Sequence, residues 1–330
     1  MNTMKIYHRE AAIRRIDELA AAGCTFIFAI SYDTETAVVE EAAAVNSCEC
    51  LFAFPGLNNI PANAAIDAHS VMWKAYVPTQ QTYARQLQIV KDHLQKGNSY
   101  LVNLTCRIPV ETNISLRDIF LRAHAPYRFW LKDRLVCFSP ETFVRVDGRT
   151  ISSFPMKGTI DATIPDATDV LYNNEKEAAE HATIVDLIRN DLSIVADHVH
   201  VSRYRYVERL TTNRGAILQT SSEINGQLTD YYLHHIGQML YSQLPAGSIT
   251  GAPKPKTMAI IAEAEDYQRG FYSGVMGYCA PGRLESAVMI RLIDAEDGQL
   301  YYKAGGGITA RSVCRDEYQE VIQKVYVPIY

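Results

Sequence analysis

Apolar positions recur along this chain at two spacings, and each spacing predicts a different element. From 11 to 22, Ile13, Ile16 and Leu19 stand at helical spacing, and the run Thr25-Phe-Ile-Phe-Ala-Ile30 reads as a buried strand. From 82 to 96, Tyr83, Leu87, Val90 and Leu94 make one helical face; Gly97-Asn98 ends it, and Tyr100-Leu-Val-Asn-Leu-Thr105 follows as a strand. Residues 31 to 80 are rich in Ala, Asn and Pro and carry little periodicity, although the short apolar stretch Leu51 to Phe54 is a candidate strand. The segment Phe143-Val-Arg-Val146, Asp147-Gly148, Arg149-Thr-Ile-Ser152 predicts a hairpin, with Asp-Gly supplying the positive φ of a tight type I′ turn. Further strands are expected at 197–207, 215–224, 271–280, 284–294 and 299–304, and helices at 174–195, 229–243, 253–265 and 315–326. Hairpins mixed with long helices predict an α+β protein, antiparallel sheets covered by helices, with no regular βαβ alternation. No repeat or low-complexity linker divides the chain, so residues 1–80 are expected to belong to one domain with 81–330.

Composition narrows the function. The 330 residues are 48% apolar, enough for a large core, and the net charge of -5 supplies no basic field for nucleic acid or an anionic membrane. The first residues lack a basic-then-apolar leader pattern and no apolar run approaches a membrane span, so a cytoplasmic protein is expected. The seven cysteines form no Cys-x-x-Cys pair, and Cys48-Glu49-Cys50 has no further Cys or His nearby to complete a zinc site; reduced thiols are expected. Gly247-Ser-Ile-Thr-Gly-Ala-Pro-Lys254 does not have phosphate-loop spacing, and no nucleophile-elbow, zincin or dinucleotide motif is present.

The chemistry-bearing residues gather on a few segments. On the helix predicted around 174–195, Glu180, Ile184, Leu187 and Asp191 share a face, which sets a carboxylate on an apolar stripe. Near the C-terminus Glu317 and Glu320 are i, i+3 neighbours, while Lys324 lies i+4 from Glu320. Two readings stand: surface ion pairs, or a Mg2+ held by carboxylates from both helices. Gly305, Gly306 and Gly307 let backbone approach a ligand, Thr250 and Gly251 precede a helix opened by Pro253, and Arg291 is a cation set in a β run. Together these suit an acid with more than one carboxylate. Ser139-Pro-Glu141 and Pro155-Met-Lys157 flank the Asp-Gly hairpin, which can bring an acid and an amine together, as a catalytic pair or as a salt bridge.

In this order the segments Gly97-Asn-Ser-Tyr-Leu-Val-Asn-Leu-Thr105, Ser139-Pro-Glu141, Pro155-Met-Lys-Gly-Thr159, Glu180 to Asp191, Gly247 to Lys254, Arg269-Gly-Phe-Tyr-Ser-Gly274, Ile290-Arg291 and Ala304-Gly-Gly-Gly-Ile308 are highly specific. The chain resembles the chorismate-utilising enzymes from about Tyr83 to Val325, most closely their aminodeoxychorismate synthase component I branch, which serves 4-aminobenzoate and folate synthesis. The resemblance implies two packed antiparallel sheets with outer helices, the anthranilate synthase component I-like fold. It implies Mg2+ on Glu180 and Glu320 with Glu317 close by, and Gly158, Thr159 and Gly305 to Gly307 around the ring of chorismate. It further implies Tyr272 and Arg291 on the enolpyruvyl carboxylate, Glu141 as general acid for the 4-hydroxyl, and Lys157 as the amine that adds at C2 so that ammonia enters at C4.

Within that family, anthranilate synthases usually carry Ala where Lys157 stands, so Lys157 points to 4-amination. Isochorismate and salicylate synthases carry a water-activating Lys at the position of Leu101, which cannot play that part. Leu101 also departs from the Gln of most ammonia users, and Gln219 stands where many relatives have His. Typical members are longer at the N-terminus, and no Leu-Leu-Glu-Ser-type tryptophan site is present here, so no tryptophan control is expected. The resemblance also implies a separate glutamine amidotransferase subunit as the ammonia source. Anthranilate synthase, isochorismate synthase and a catalytically idle chorismate-binding paralogue are the alternatives.

Overall fold

The computed structural model describes residues 4–65, 70–212 and 215–329. Among these residues the strands form two antiparallel sheets, of ten and nine strands. The first runs Ile6–His8, Thr36–Glu41, Phe26–Ile30, Val275–Ala280, Arg283–Val288, Thr142–Asp147, Thr150–Ser153, Gly215–Leu228, Met156–Asp161, with Ala196–Thr212 also paired to Gly215–Leu228. The second runs Gly251–Ala252, Leu101–Thr112, Gln299–Ile308, Leu292–Glu296, Leu135–Ser139, Tyr127–Leu131, Cys50–Phe54, Leu57–Asn58, with Trp73–Ala75 on Leu101–Thr112.

The layering follows from which side chains each strand sends to which side. Ile27 and Ala29 meet Phe52, Phe129 and Cys137 in a core between the sheets, while Phe26, Phe28 and Ile30 face the opposite way. There they pack with Ile16 of the Arg9–Ala21 helix, Ile184 and Ile188 of the Glu175–Leu192 helix and Met239 of the Ile236–Ser242 helix. Burial on both faces is why this strand is a continuous apolar run with no alternation. The outer face of the second sheet is covered by the Gln80–Gln95, Leu116–Arg122, Lys254–Ala264 and Cys314–Lys324 helices. On the Gln80–Gln95 helix the predicted stripe Tyr83, Leu87, Val90 and Leu94 is buried, each side chain contributing about 1.5–3 kcal/mol. The result is the α+β sandwich with outer helices that the sequence predicts, and among the described residues no helix is long and apolar enough to cross a membrane.

Four local expectations need correcting. The run 284–294 is not one strand: Arg283–Val288 belongs to the first sheet and Leu292–Glu296 to the second, because Arg291 takes a left-handed φ of 56° and turns the chain across. The expected helix 229–243 is two, Asp230–His234 and Ile236–Ser242, broken where His235 leaves helical geometry at φ -131°, ψ 65°. Of the expected strand 271–280, only Val275–Ala280 is strand. In the hairpin, Asp147 pairs with Thr150, so the turn is Gly148-Arg149, and only Gly148 has positive φ, the pattern of a type II′ turn.

The chain also crosses between sheets at Pro140-Glu141, between Leu135–Ser139 and Thr142–Asp147. The two crossings lie side by side. The amide of Val288 donates to the carbonyl of Glu141 at 3.2 Å, and that of Phe138 to the carbonyl of Arg291 at 3.1 Å.

Candidate functional site

A cavity of about 360 Å³ opens between the Glu175–Leu192 helix, the Met156–Asp161 strand and the end of the Gln299–Ile308 strand. Glu141, Lys157, Lys176, Glu180, Ser248 and Gly307 line it, with Leu101, Met156 and Ile184 as apolar wall. A mostly apolar pocket with convergent acid and amine groups suits a small organic anion.

Each charged group is placed by a specific local device. Asn174 caps the Glu175–Leu192 helix by accepting the Glu177 amide at 3.1 Å, which sets Glu177 and Glu180 on the turn that faces the cavity. Lys157 sits at a bulge where Gly158 takes φ 81°, and the Thr220 hydroxyl donates to the Lys157 carbonyl. A Cβ on Gly158 would stand 3.2 Å from the Glu177 carboxylate, so glycine lets the strand and helix close together. The Lys157 amine meets Glu180 at 2.8 Å. Burial alone would lower the Lys157 pKa, but Glu180 in contact, with Glu320 and Glu177 further out, outweighs it and raises the amine above its ordinary value. Burial pushes the Glu141 carboxyl above the usual carboxylate range; Ser248 donates to it at 3.3 Å, and Lys324, Arg291 and Lys157 only partly offset the effect. A carboxylic acid and a lysine thus share one cavity.

The Cys314–Lys324 helix brings a second carboxylate pair. Lys176 lies between the helices, 3.8 Å from Glu180 and 3.9 Å from Glu317, and Lys324 holds Glu320 at 2.6 Å while donating to the Gly305 carbonyl at 2.8 Å. Burial raises the pKa of Glu317; for Glu320 burial pulls the same way, but Lys324, Lys157 and Lys176 outweigh it and hold the carboxyl below its ordinary value. Among the described residues no three His, Cys, Asp or Glu side chains converge as a ready-made metal cage. The donor chemistry nonetheless fits Mg2+: Glu180, Glu317 and Glu320 offer hard oxygens, and Glu177 Oε2 is buried with no hydrogen-bond partner.

Glu317 and Glu320 stand outside the cavity wall, as do several other sequence-predicted residues. Gly305 and Gly306 are close-packed, since a Cβ on them would meet the Leu104 carbonyl at 2.3 Å and the Glu320 carboxylate at 3.3 Å. Thr159 is exposed and pairs with Gln219 across the strands. Gly251 is pressed onto the neighbouring strand, where a Cβ would stand 1.8 Å from the Leu101 carbonyl, and the Thr250 carbonyl accepts the Asn103 amide at 2.9 Å. From that loop it is Ser248 that reaches the cavity. Lys254 is tied to Asp191 at 2.9 Å and does not line the cavity. Tyr272 is 4% exposed, and Arg291 does not line the cavity, although its charge acts on Glu141, which does, and on Lys324. Sequence reasoning missed Lys176, Ser248 and Glu177; the i, i+3 spacing of Glu177 and Glu180, mirrored by Glu317 and Glu320, was the available signal.

A two-sheet sandwich whose inter-sheet crossings carry an acid and a guanidinium beside a lysine-lined cavity defines an enzyme for a small anionic substrate. Residues 5–329 match the chorismate-binding enzymes, and the chain belongs to that family of enzymes acting on chorismate. It is 44% identical over 319 residues to a PabA-like protein of Pasteurella multocida, covering 97% of this chain and 98% of that one. It is 34% identical over 263 residues to aminodeoxychorismate synthase component 1 of Escherichia coli, which covers 75% of this chain and 56% of that protein. The crystal structure of anthranilate synthase component I from Streptococcus pneumoniae superposes with a TM-score of 0.67 at 27% identity, over 80% of this chain and 61% of that one.

Proposed function

We propose that the chain is the chorismate-binding component I of an aminodeoxychorismate synthase, converting chorismate and ammonia to 4-amino-4-deoxychorismate and water, with ammonia delivered by a glutamine amidotransferase partner. The observation that carries this reading is Lys157 facing the same cavity as Glu141. Similarity to relatives of both amination branches does not separate them, and what favours 4-amination is Lys157 where anthranilate synthases usually carry alanine.

In this reading Glu141, whose carboxyl burial shifts toward the protonated form, donates its proton to the departing 4-hydroxyl. Lys157 rests as an ammonium against Glu180 and becomes a nucleophile once it passes a proton to that carboxylate; it bonds to C2 as the 4-hydroxyl, protonated by Glu141, leaves as water. Ammonia then bonds to C4 and the Lys157 nitrogen departs, which restores the ring double bonds. Leu101 and Gly307 wall the cavity without offering a base, so water is not activated from that side. Glu180 and Glu320, with Glu317, would hold Mg2+, which when bound would draw electron density through the ring carboxylate and assist both displacements.

Two measurements bear on this. Incubation with chorismate and ammonium is expected to yield 4-amino-4-deoxychorismate, and anthranilate or isochorismate would replace this reading by another branch of the family. Glu180→Gln and Glu320→Gln are each expected to raise the Mg2+ concentration for half-maximal activity by at least about tenfold, since each removes one charged ligand; metal titrations that coincide with wild type would remove them as ligands.

A further inference from the structure

Lys176 links the two helices that carry the carboxylates. It stands in the first turn of the Glu175–Leu192 helix, 3.8 Å from Glu180 on the same helix and 3.9 Å from Glu317 on the Cys314–Lys324 helix. At those separations its ammonium attracts both carboxylates but is beyond hydrogen-bond reach of either. The other two amines of the cluster are held more firmly. Lys157 meets Glu180 at 2.8 Å, and Lys324 meets Glu320 at 2.6 Å while donating to the Gly305 carbonyl. Among the described residues Lys176 has no such anchor; its side chain is 49% exposed, and it lines the cavity.

The charges of these groups act on one another across the two helices. Counted as ionised, Glu177, Glu180, Glu317 and Glu320 carry one negative charge more than Lys157, Lys176 and Lys324 neutralise. A Mg2+ ion on Glu180, Glu317 and Glu320 would turn that excess into one positive charge, which a single substrate carboxylate brings to zero. Without Lys176 the metal alone would reach neutrality, and the substrate carboxylate would then be in excess. Net charge in a partly buried site is costly, so each balance sets how strongly the next ion is welcomed. Lys176 also stands in the way of the metal, because a divalent ion is repelled by an ammonium so close to two of its ligands.

We propose that Lys176 couples metal binding to substrate binding. Before the metal enters, its ammonium lies between Glu180 and Glu317 and weakens their hold on Mg2+. Once the metal takes those carboxylates, the ammonium swings into the cavity it already lines and faces the incoming carboxylate. The chain alone therefore holds Mg2+ weakly, and the chain with substrate holds it tightly. Lys176 is a positioning residue that acts through the metal and the carboxylate. This rests on the chorismate reading and on Mg2+ at Glu180, Glu317 and Glu320.

The test is calorimetric titration of Mg2+ into the whole chain, with and without a chorismate analogue that lacks the 4-hydroxyl, which keeps both carboxylates and has no group to lose. Lys176→Met keeps an unbranched side chain and removes the charge. It is expected to tighten Mg2+ about tenfold without the analogue and to leave the affinity with the analogue unchanged, so the coupling factor between the two ligands falls about tenfold. By reciprocity, Mg2+ should improve analogue binding less in the variant than in the wild type. Lys176→Arg keeps the charge and should behave as wild type. A gain in metal affinity is not something a damaged fold produces. Unchanged or weaker Mg2+ binding by Lys176→Met without the analogue would overturn the proposal, as would an equal gain in both titrations. A wild-type chain that binds Mg2+ but not the analogue would overturn the chorismate reading and the coupling together. One that binds the analogue but not Mg2+ would remove the metal and the coupling and leave the substrate reading standing.

Discussion

Lys157→Ala is expected to lose 4-amination by at least about 10³-fold, the scale of removing a group that bonds to the substrate during the reaction. The loss should fall in kcat. The variant should still fold, because the Lys157 side chain is 26% exposed and sits on the Met156–Asp161 strand at one edge of its sheet. Glu180 loses its 2.8 Å partner but keeps Lys176 at 3.8 Å, so no carboxylate is stranded. A companion observation is available in the wild type: without ammonia, the adduct heavier by chorismate less water should accumulate on the chain, and intact-mass measurement should find it there and not in Lys157→Ala. A variant that made the same product at the wild-type rate would remove the covalent role.

Glu265→Ala is expected to destabilise the fold by about 3–5 kcal/mol, the cost of stranding one half of a buried ion pair. Arg269 and Glu265 are 2% and 1% exposed at the side chain and meet as a bidentate pair, with Nη2 donating at 2.6 Å and Nε at 2.9 Å. Glu265 also accepts the Thr105 amide and hydroxyl, each at 2.8 Å. Arg269 in turn donates to the Ile249 carbonyl at 3.1 Å and the Asn103 carbonyl at 2.6 Å. The pair therefore pins the loop carrying Ser248 to the strand carrying Leu101, two parts of the cavity wall. Thermal unfolding should fall by roughly 10 °C for a domain of this size. The double variant Glu265→Ala with Arg269→Leu should recover part of the loss, because no charge is then left buried alone. A single variant within about 1 kcal/mol of wild type, well below that range, would show that the network does not bear on stability.

Much of this architecture was legible in the sequence because long amphipathic helices advertise themselves. The expected helices 82–96 and 253–265 end within two residues of the observed Gln80–Gln95 and Lys254–Ala264, since their buried faces repeat at helical spacing. The passage from Leu284 to Asp294 was not legible. An apolar run carries no mark of which sheet each half joins, and the turn between the halves is made by Arg291, a residue type that seldom takes positive φ. Within residues 31–80 the Thr36–Glu41 strand was hidden for a similar reason, whereas the apolar stretch Leu51 to Phe54 marked the Cys50–Phe54 strand; residues 66–69 lie outside the described set.

The site was legible in part. Glu141 and Lys157 flank a hairpin visible in the sequence, and the structure puts both on one cavity wall. The places of Lys176 and Ser248 were not legible, because they arise from neighbours more than a hundred residues away in the chain: Lys176 beside Glu317, Ser248 beside Glu141. Spacing rules read contacts within one element, and these contacts join elements.

The most direct measurement is to incubate the chain with chorismate, Mg2+ and ammonium at mildly alkaline pH, with and without a glutamine amidotransferase subunit and glutamine, and to identify the product by mass and by its conversion with added aminodeoxychorismate lyase. The account predicts 4-amino-4-deoxychorismate, consumed by the lyase. Anthranilate, isochorismate or unchanged chorismate with the partner supplied would contradict it.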